Sequence, residues 1–190
     1  MSKKNKLRIG VIGATGYTGL ELILLLSKHP NVKIKYLCAT KNLGKKISYF
    51  DKRIVKKMPN ISSVKKIRYQ DIDLLFLSLP NGEAQKIIKK NFFKYPNLKF
   101  IDLSADFRLQ NAKNFNQIYK INHYAKNLIR YSLYSLAELT RNQIKRFRII
   151  ANPGCYSTSI QLPLVPLIKK KLRDFDNITI DSKSGYSGAG

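Results

Sequence analysis

The chain has 190 residues, 44% of them apolar, and carries 36 Lys and Arg against 11 Asp and Glu for a net charge of +25. Apolar content at this level, arranged in periodic blocks, excludes a wholly disordered chain and supplies one core with part of a second, at roughly 100–200 residues per domain. The longest apolar stretch inside a helical segment, Leu22 to Leu26, is far below the ~20 residues that span a bilayer, and two cysteines with two distant histidines form neither a disulfide framework nor a zinc cluster.

In chain order, Leu7 to Ile12 reads as a short β-branched strand, residues 13–16 as a turn, and Tyr17 to His29 as a helix with Leu20, Ile23, Leu24 and Leu26 on one period. Pro30-Asn31 stops that helix, and Val32 to Ala39 alternates like a second strand. Strand, turn, helix and strand in this order open a doubly wound α/β sheet. Residues 41–67 are polar and basic and predict a loop with a short helix and a minor strand. Asp73 to Leu79 is a continuous apolar run closed by Pro80-Asn81-Gly82, as a buried parallel strand requires. Glu83 to Phe93 predicts a helix, Leu98 to Leu103 another buried strand, and Ser104-Ala-Asp-Phe-Arg108 follows it.

Residues 109–148 carry no strong period. Arg148 to Ala151 predicts a short strand leading into Asn152-Pro-Gly-Cys155. Tyr156 to Leu172 predicts a helix with Pro163 and Pro166 near its first turns, and Ile178 to Asp181 a further strand. The fold class expected is therefore α/β: a doubly wound, mostly parallel Rossmann-type sheet over residues 1–150. Residues 151–190 are expected to be the incomplete start of a mixed α/β catalytic domain. The basic residues are scattered singly and in pairs, so the charge reads first as a lysine-rich drift of solvated faces. Attraction of anionic ligands is the second reading, and nucleic acid is disfavoured because no face concentrates the charge.

Two constellations carry chemistry. Gly10, Gly13, Gly16 and Gly19 recur across the first strand–helix junction. Gly13 permits a tight turn, Gly16 the close approach of a pyrophosphate and Gly19 close packing of the helix, whose N-terminus offers free N–H groups to phosphate. Thr15 and Thr18 add hydroxyl donors. Beyond the second strand, where a carboxylate would hold the ribose of NAD, stand Thr40 and Lys41 with Lys45 and Lys46 behind them, which favours NADP. Cys38 is expected to be a small buried strand residue.

The second constellation is Asn152-Pro-Gly-Cys155, which puts a thiol after a turn at the mouth of a helix. There the helix N-terminus favours thiolate and its N–H groups can hold an oxyanion. A thiol beside a hydride donor suits reduction of an acyl phosphate through a thioester.

Four segments together resemble one family: Gly13-Ala-Thr-Gly-Tyr-Thr-Gly19, Ile101-Asp-Leu-Ser-Ala-Asp-Phe-Arg-Leu109, Asn152-Pro-Gly-Cys155 with Gln161-Leu-Pro-Leu164, and Lys183-Ser-Gly-Tyr-Ser-Gly-Ala-Gly190. They resemble N-acetyl-γ-glutamyl-phosphate reductase, the NADP-dependent enzyme of arginine biosynthesis. The resemblance implies that Cys155 is the nucleophile, that Gly13 to Gly19 (Tyr17 included) bind cofactor, and that Arg108 and Asn152 lie at the substrate. The alternative for Arg108 is a structural salt bridge to Asp102 or Asp106. Ser157, Asn81 and the Tyr134–Glu138 segment depart from the family pattern, and the family's general-base histidine lies in sequence that follows these motifs. His29 and His123 are expected to be surface or structural.

The resemblance implies the N-terminal portion of a longer enzyme, homo-oligomeric in its full-length form and acting on a small acyl phosphate. The sparse cysteines lead us to expect the cytoplasm, and the cysteine and histidine spacing, short apolar runs and scattered charge no metal, membrane or nucleic-acid partner. Other acyl-phosphate reductases of the same build are the neighbouring alternatives: aspartate-semialdehyde dehydrogenase, or the enzyme acting on carrier-linked α-aminoadipyl phosphate. A non-catalytic NADP-binding protein is the alternative of another class.

Overall fold

The computed structural model describes residues 6–171 and 178–188, which fall into two compact units, Met1–Asn152 and Pro153–Gly190. In the first unit the chain runs β1 (Leu7–Ile12), α1 (Tyr17–Lys28), β2 (Val32–Cys38), β3 (Ile61–Ser62), β4 (Leu74–Leu77), α2 (Glu83–Asn91) and β5 (Lys99–Asp102). It continues through α3 (Ala112–Tyr119), β6 (Ser132–Tyr134), α4 (Ala137–Thr140) and β7 (Ile149–Ala151). The second unit begins with α5 (Cys155–Lys169).

The strands form a seven-stranded sheet in the order β3-β2-β1-β4-β5-β7-β6, with parallel pairing throughout. Side-chain alternation explains why both faces are covered. Leu75 and Leu77 of β4 join Ala84 and Ile88 of α2 in one core, while Phe76 joins Ile9, Val11 and the α1 residues Ile23 and Leu24 in the other. An apolar run with no polar face, such as residues 74–77, is stable only between two such layers. The order reverses between β1 and β4, so the carboxyl ends of these strands flank the crevice where open α/β sheets bind ligands.

The expected strands at 7–12, 32–39, 73–79, 98–103 and 148–151 all form, shorter by one or two residues at some ends. The weakly patterned 109–148 segment contains more structure than its composition suggests. The polar helix α3 buries Phe115 and is started by the Asn111 side chain, which accepts from the Lys113 N–H at 2.8 Å. Strand β6 is three residues long and too brief to show an alternation.

Two expectations are corrected. Residues 178–181 form no strand: Ile178 and Ile180 are 43% and 51% exposed, and an alternating segment becomes a strand only where a neighbour takes its backbone groups. Pro163 and Pro166 lie inside α5 rather than near its first turns, eight and eleven residues after its start at Cys155. The helix end expected at Leu172 lies outside the described residues. Among those described, no helix is long and apolar enough to cross a membrane.

Candidate active site

At the end of β1 the chain turns through Gly13, whose φ of +84° is a left-handed conformation. A β-carbon on Gly13 would stand 1.7 Å from the Ser78 carbonyl oxygen, so glycine is obligatory there on both counts. The Gly13 and Ala14 N–H groups donate to one acceptor, the Cys38 carbonyl, at 2.9 and 3.0 Å. Cys38 thus serves the turn with its backbone, while its buried sulfur packs on the Ser62 hydroxyl and burial pushes the thiol pKa up. A β-carbon on Gly19 would lie 2.1 Å from the Gly13 carbonyl oxygen, so the helix packs against the turn itself, a closer approach than to the strands.

Gly16 differs from both. A β-carbon there meets only the Gly13 carbonyl oxygen, at 3.7 Å, and the space above it is open. Gly16 is the residue preceding α1, no side chain caps the helix start, and no acidic residue occupies its first turn. The first intrahelical bond is donated by Leu20, leaving the N–H groups of Tyr17, Thr18 and Gly19 directed out of the N-terminus. Tyr17 and Thr18 are exposed, and Thr15 is half-buried on the turn. An uncapped helix start of this kind can receive an anion such as a pyrophosphate.

Because Ile12 pairs with Cys38, the end of β2 lies beside the glycine turn. Thr40 and Lys41 follow at once, both exposed, and Asn42 (φ 62°) and Gly44 (φ 86°) fold the loop so that Lys45 covers the Tyr49 ring at 4.5 Å. The structure therefore brings the glycine turn, Thr40 and Lys41 to one edge of the sheet.

The same edge carries the Asp102–Arg108 segment, where sequence reasoning missed a buried polar network. Asp102 ends β5 and turns the chain back: its Oδ1 accepts from the Ser104 N–H (2.9 Å) and hydroxyl (2.6 Å), and its Oδ2 from the Phe107 N–H at 3.3 Å. Burial first, and the nearby Asp106 charge, raise the Asp102 pKa to about 6 against the pull of the Ser104 bonds. Asp106 accepts from the N–H groups of Gly82 (2.6 Å) and Gln85 (3.0 Å), capping α2 from a different segment. Asn81 takes the Ala105 N–H at 3.0 Å. His123 is buried, and its Nδ1 accepts from the Ala125 N–H, so Nε2 carries the proton and donates to the Asp106 carbonyl at 2.8 Å. Burial lowers its pKa.

The visible signal in the sequence was Asp-x-Ser-x-Asp after a buried strand, two of only eleven acids within five residues. His123 is structural, as expected, and His29 is exposed.

Arg108 forms neither of the ion pairs entertained for it. Its Nε donates to the Asn152 carbonyl at 2.9 Å and its Nη2 to the Leu103 carbonyl at 3.1 Å, because both acids are already engaged by backbone donors. Arg108 and Asn152 are thus brought together, with Asn152 exposed just past β7. No carboxylate forms an ion pair with the Arg108 guanidinium among the described residues. In the second unit Cys155 is the first residue of α5 and is exposed. Ser157 bonds the Gly154 carbonyl through its hydroxyl at 3.0 Å, a local bond that proline there would lack.

The family model described as semialdehyde dehydrogenase, NAD binding domain, matches residues 8–147, and the model described as semialdehyde dehydrogenase, dimerisation domain, matches 155–190. The chain belongs to the semialdehyde dehydrogenase family. Its first domain is therefore of the NAD-binding kind, and residues 13–19 lie within it.

Among curated relatives, the chain is 46% identical over 186 residues to a probable N-acetyl-γ-glutamyl-phosphate reductase, chloroplastic, of Oryza sativa subsp. japonica, covering 97% of this chain and 44% of that protein. It is 42% identical over 193 residues to N-acetyl-γ-glutamyl-phosphate reductase of Afipia carboxidovorans, covering 100% of this chain and 54% of that one. The chain spans about half the length of these semialdehyde dehydrogenase-family relatives.

Among solved structures, aspartate semialdehyde dehydrogenase II from Vibrio cholerae is similar at TM-score 0.62 and 18% identity over 87% of this chain and 43% of that one. The Candida albicans aspartate semialdehyde dehydrogenase with NADP is similar at TM-score 0.54 and 21% identity, over 87% and 48%. These two likenesses concern the fold.

Proposed function

We propose that this chain is the N-terminal part of an NADP-dependent N-acetyl-γ-glutamyl-phosphate reductase, forming N-acetylglutamate semialdehyde in arginine biosynthesis. The domain division proposed is the nucleotide-binding fold to about residue 150 and the start of the catalytic domain from there. Gly13, Thr15, Gly16, Tyr17, Thr18 and Gly19 seat the pyrophosphate. Thr40 and Lys41 take the 2′-phosphate, which is why NADP is the form proposed: no carboxylate stands at the end of β2 to repel it. When bound, the reduced nicotinamide supplies the hydride.

The Cys155 sulfur attacks the acyl carbon; the C–O bond to phosphate breaks, inorganic phosphate leaves, and a thioester remains. A hydride delivered to the thioester carbon would give a thiohemiacetal alkoxide on Cys155, which would collapse with cleavage of the C–S bond to release the aldehyde and the Cys155 thiolate. Arg108 and Asn152 are proposed to hold the anionic substrate. The complete enzyme is proposed to be a cytoplasmic homo-oligomer, a reducing compartment suiting two unpaired thiols.

The observation that carries the reading is an exposed thiol at the first position of a helix, in a family whose first domain binds a nicotinamide dinucleotide. The test is Cys155→Ser in the enzyme with its complete catalytic domain. Acyl-phosphate-dependent oxidation of NADPH should fall at least about a thousand-fold while dinucleotide binding is unchanged, a loss of roughly 4 kcal/mol of transition-state stabilisation. Retained turnover would refute the mechanism.

A further inference from the structure

At the end of the sheet opposite the nucleotide cradle lies a cavity of about 650 Å³, within the size range of ligand sites. Its walls include Val32, Lys33, Ile34 and Lys35, four consecutive residues of β2. The register of β2 against β1 slips by one residue at Lys35, but Val32, Lys33 and Ile34 precede the slip and alternate between the faces of the sheet, so a cavity lined by all three reaches the strand's edge. The pairing agrees. Strand β3 covers only Leu37 and Cys38 of β2, so from Val32 to Tyr36 the outer edge of β2 has no strand beside it among the described residues. The segment that would continue β3 backwards, residues 56–59, lines the cavity without pairing with β2. The void therefore occupies the place of an eighth strand.

The lining specifies what would fill it. Leu26, Ile34, Met58 and Pro59 give an apolar floor. Around it stand Lys6, Lys33, Lys35, Lys56 and Lys57, with no acidic residue in the lining and none of the five in an ion pair among the described residues. Lysine on an edge strand repels further copies of the same basic chain, and at a net charge of +25 that repulsion is strong. The same lysines attract a strand of opposite charge.

We infer that this slot is a docking site for an extended acidic segment of a partner protein, which adds to the open edge of β2 by backbone hydrogen bonds and lays alternate apolar side chains on the floor. Main-chain bonds supply affinity in this mode, and the lysine rim selects acidic over basic sequences. The site is remote from Gly13–Gly19 along β1, so its occupation and dinucleotide binding are separable.

The test uses this chain and a fluorescein-labelled peptide of alternating Glu and Val, compared with the same peptide N-methylated at alternate residues and with a Lys/Val counterpart. Fluorescence anisotropy should show binding of the acidic peptide. About ten-fold or greater weakening is expected on N-methylation and again in Lys33→Glu/Lys35→Glu, a double change at one exposed and one half-buried lysine. Hydrogen exchange should slow at the Val32–Tyr36 amides when the peptide binds. The inference is overturned if the acidic peptide does not bind, or if the N-methylated peptide binds equally well, which would mark a merely electrostatic surface. It is equally overturned if those amides are protected by self-association of the chain without any peptide. A NADP titration of the Lys33→Glu/Lys35→Glu variant should be unchanged; the cofactor reading can fail there without affecting the docking result.

Discussion

Three glycines of one turn have different jobs, and alanine separates them. At Gly13 an alanine adopts a left-handed φ at a cost of about 1–2 kcal/mol, and its β-carbon would sit 1.7 Å from the Ser78 carbonyl oxygen, so backbone must move as well. At Gly19 the 2.1 Å approach to the Gly13 carbonyl oxygen forces the helix off the turn, which outweighs the ~1 kcal/mol that alanine gains over glycine in a helix. At Gly16 the conformation is extended (φ −76°, ψ 162°) and the nearest atom is at van der Waals distance, so the folded chain accepts alanine at a cost of at most ~1 kcal/mol. The added methyl does, however, fill the place of the phosphate.

In urea, with a slope of about 2 kcal/mol per molar, Gly13→Ala and Gly19→Ala should each lower the midpoint by about 1 M or more, and Gly16→Ala by less than about 0.5 M. Titration with NADP should show the reverse ranking for the variant that stays well folded: Gly16→Ala loses at least about ten-fold in affinity. If Gly16→Ala binds NADP as the parent does, or unfolds as early as Gly13→Ala, the assignment of the cradle is wrong.

Two further outcomes follow from the Asp102–Arg108 segment. Asp106→Asn keeps an acceptor for one N–H of α2 and turns an NH2 group toward the other, so stability should fall by about 1–3 kcal/mol, measured as a urea midpoint; an unchanged midpoint would show that the cap is idle. The pH dependence has opposing parts. Because Asp102 titrates at about 6 when folded and 3.8 when unfolded, the folded chain holds the extra proton between these values, and this group raises stability as pH falls, by up to about 3 kcal/mol. His123, lowered by burial, contributes stability above 6.5 that is lost as pH falls through that value toward its folded pKa. The stability gap between the parent and Asp102→Asn should therefore be wider at pH 5 than at pH 7, and a narrowing gap would contradict the burial of this carboxyl.

The sheet was readable because its strands are written in two distinct ways. Residues 74–77 are apolar throughout and β2 alternates, while Gly13 and Pro80-Asn81-Gly82 punctuate the strand ends with residues that only turns tolerate. The glycine turn itself was legible for the same local reason. Helix α3 was not: Ala112, Phe115 and Tyr119 do follow a helical spacing, but only two turns of it stand within a stretch rich in Asn, Tyr and Lys, and only Phe115 is buried. The partners of Arg108 were not legible either: the sequence shows two neighbouring acids, and only the folded chain reveals that Ser104, Phe107, Gly82 and Gln85 have already taken them. Residues 178–181 failed differently, an alternation without a neighbouring strand to make it one.

Those buried acids also explain how a chain of such positive charge directs an anion to one place. Helices α1 and α2 both start at the carboxyl edge of the sheet, and each N-terminus would by itself attract phosphate. Asp106 closes the second, its carboxylate satisfying the N–H groups of Gly82 and Gln85 and presenting negative charge where an anion would sit. The first is left without a side-chain cap and without an acid in its first turn. With α2 capped from within, the uncapped start of α1 is the helix end left for the pyrophosphate in the function proposed above, with Thr40 and Lys41 at the same edge of the sheet. The selectivity of the crevice thus depends as much on the helix end that the protein fills as on the one it leaves vacant.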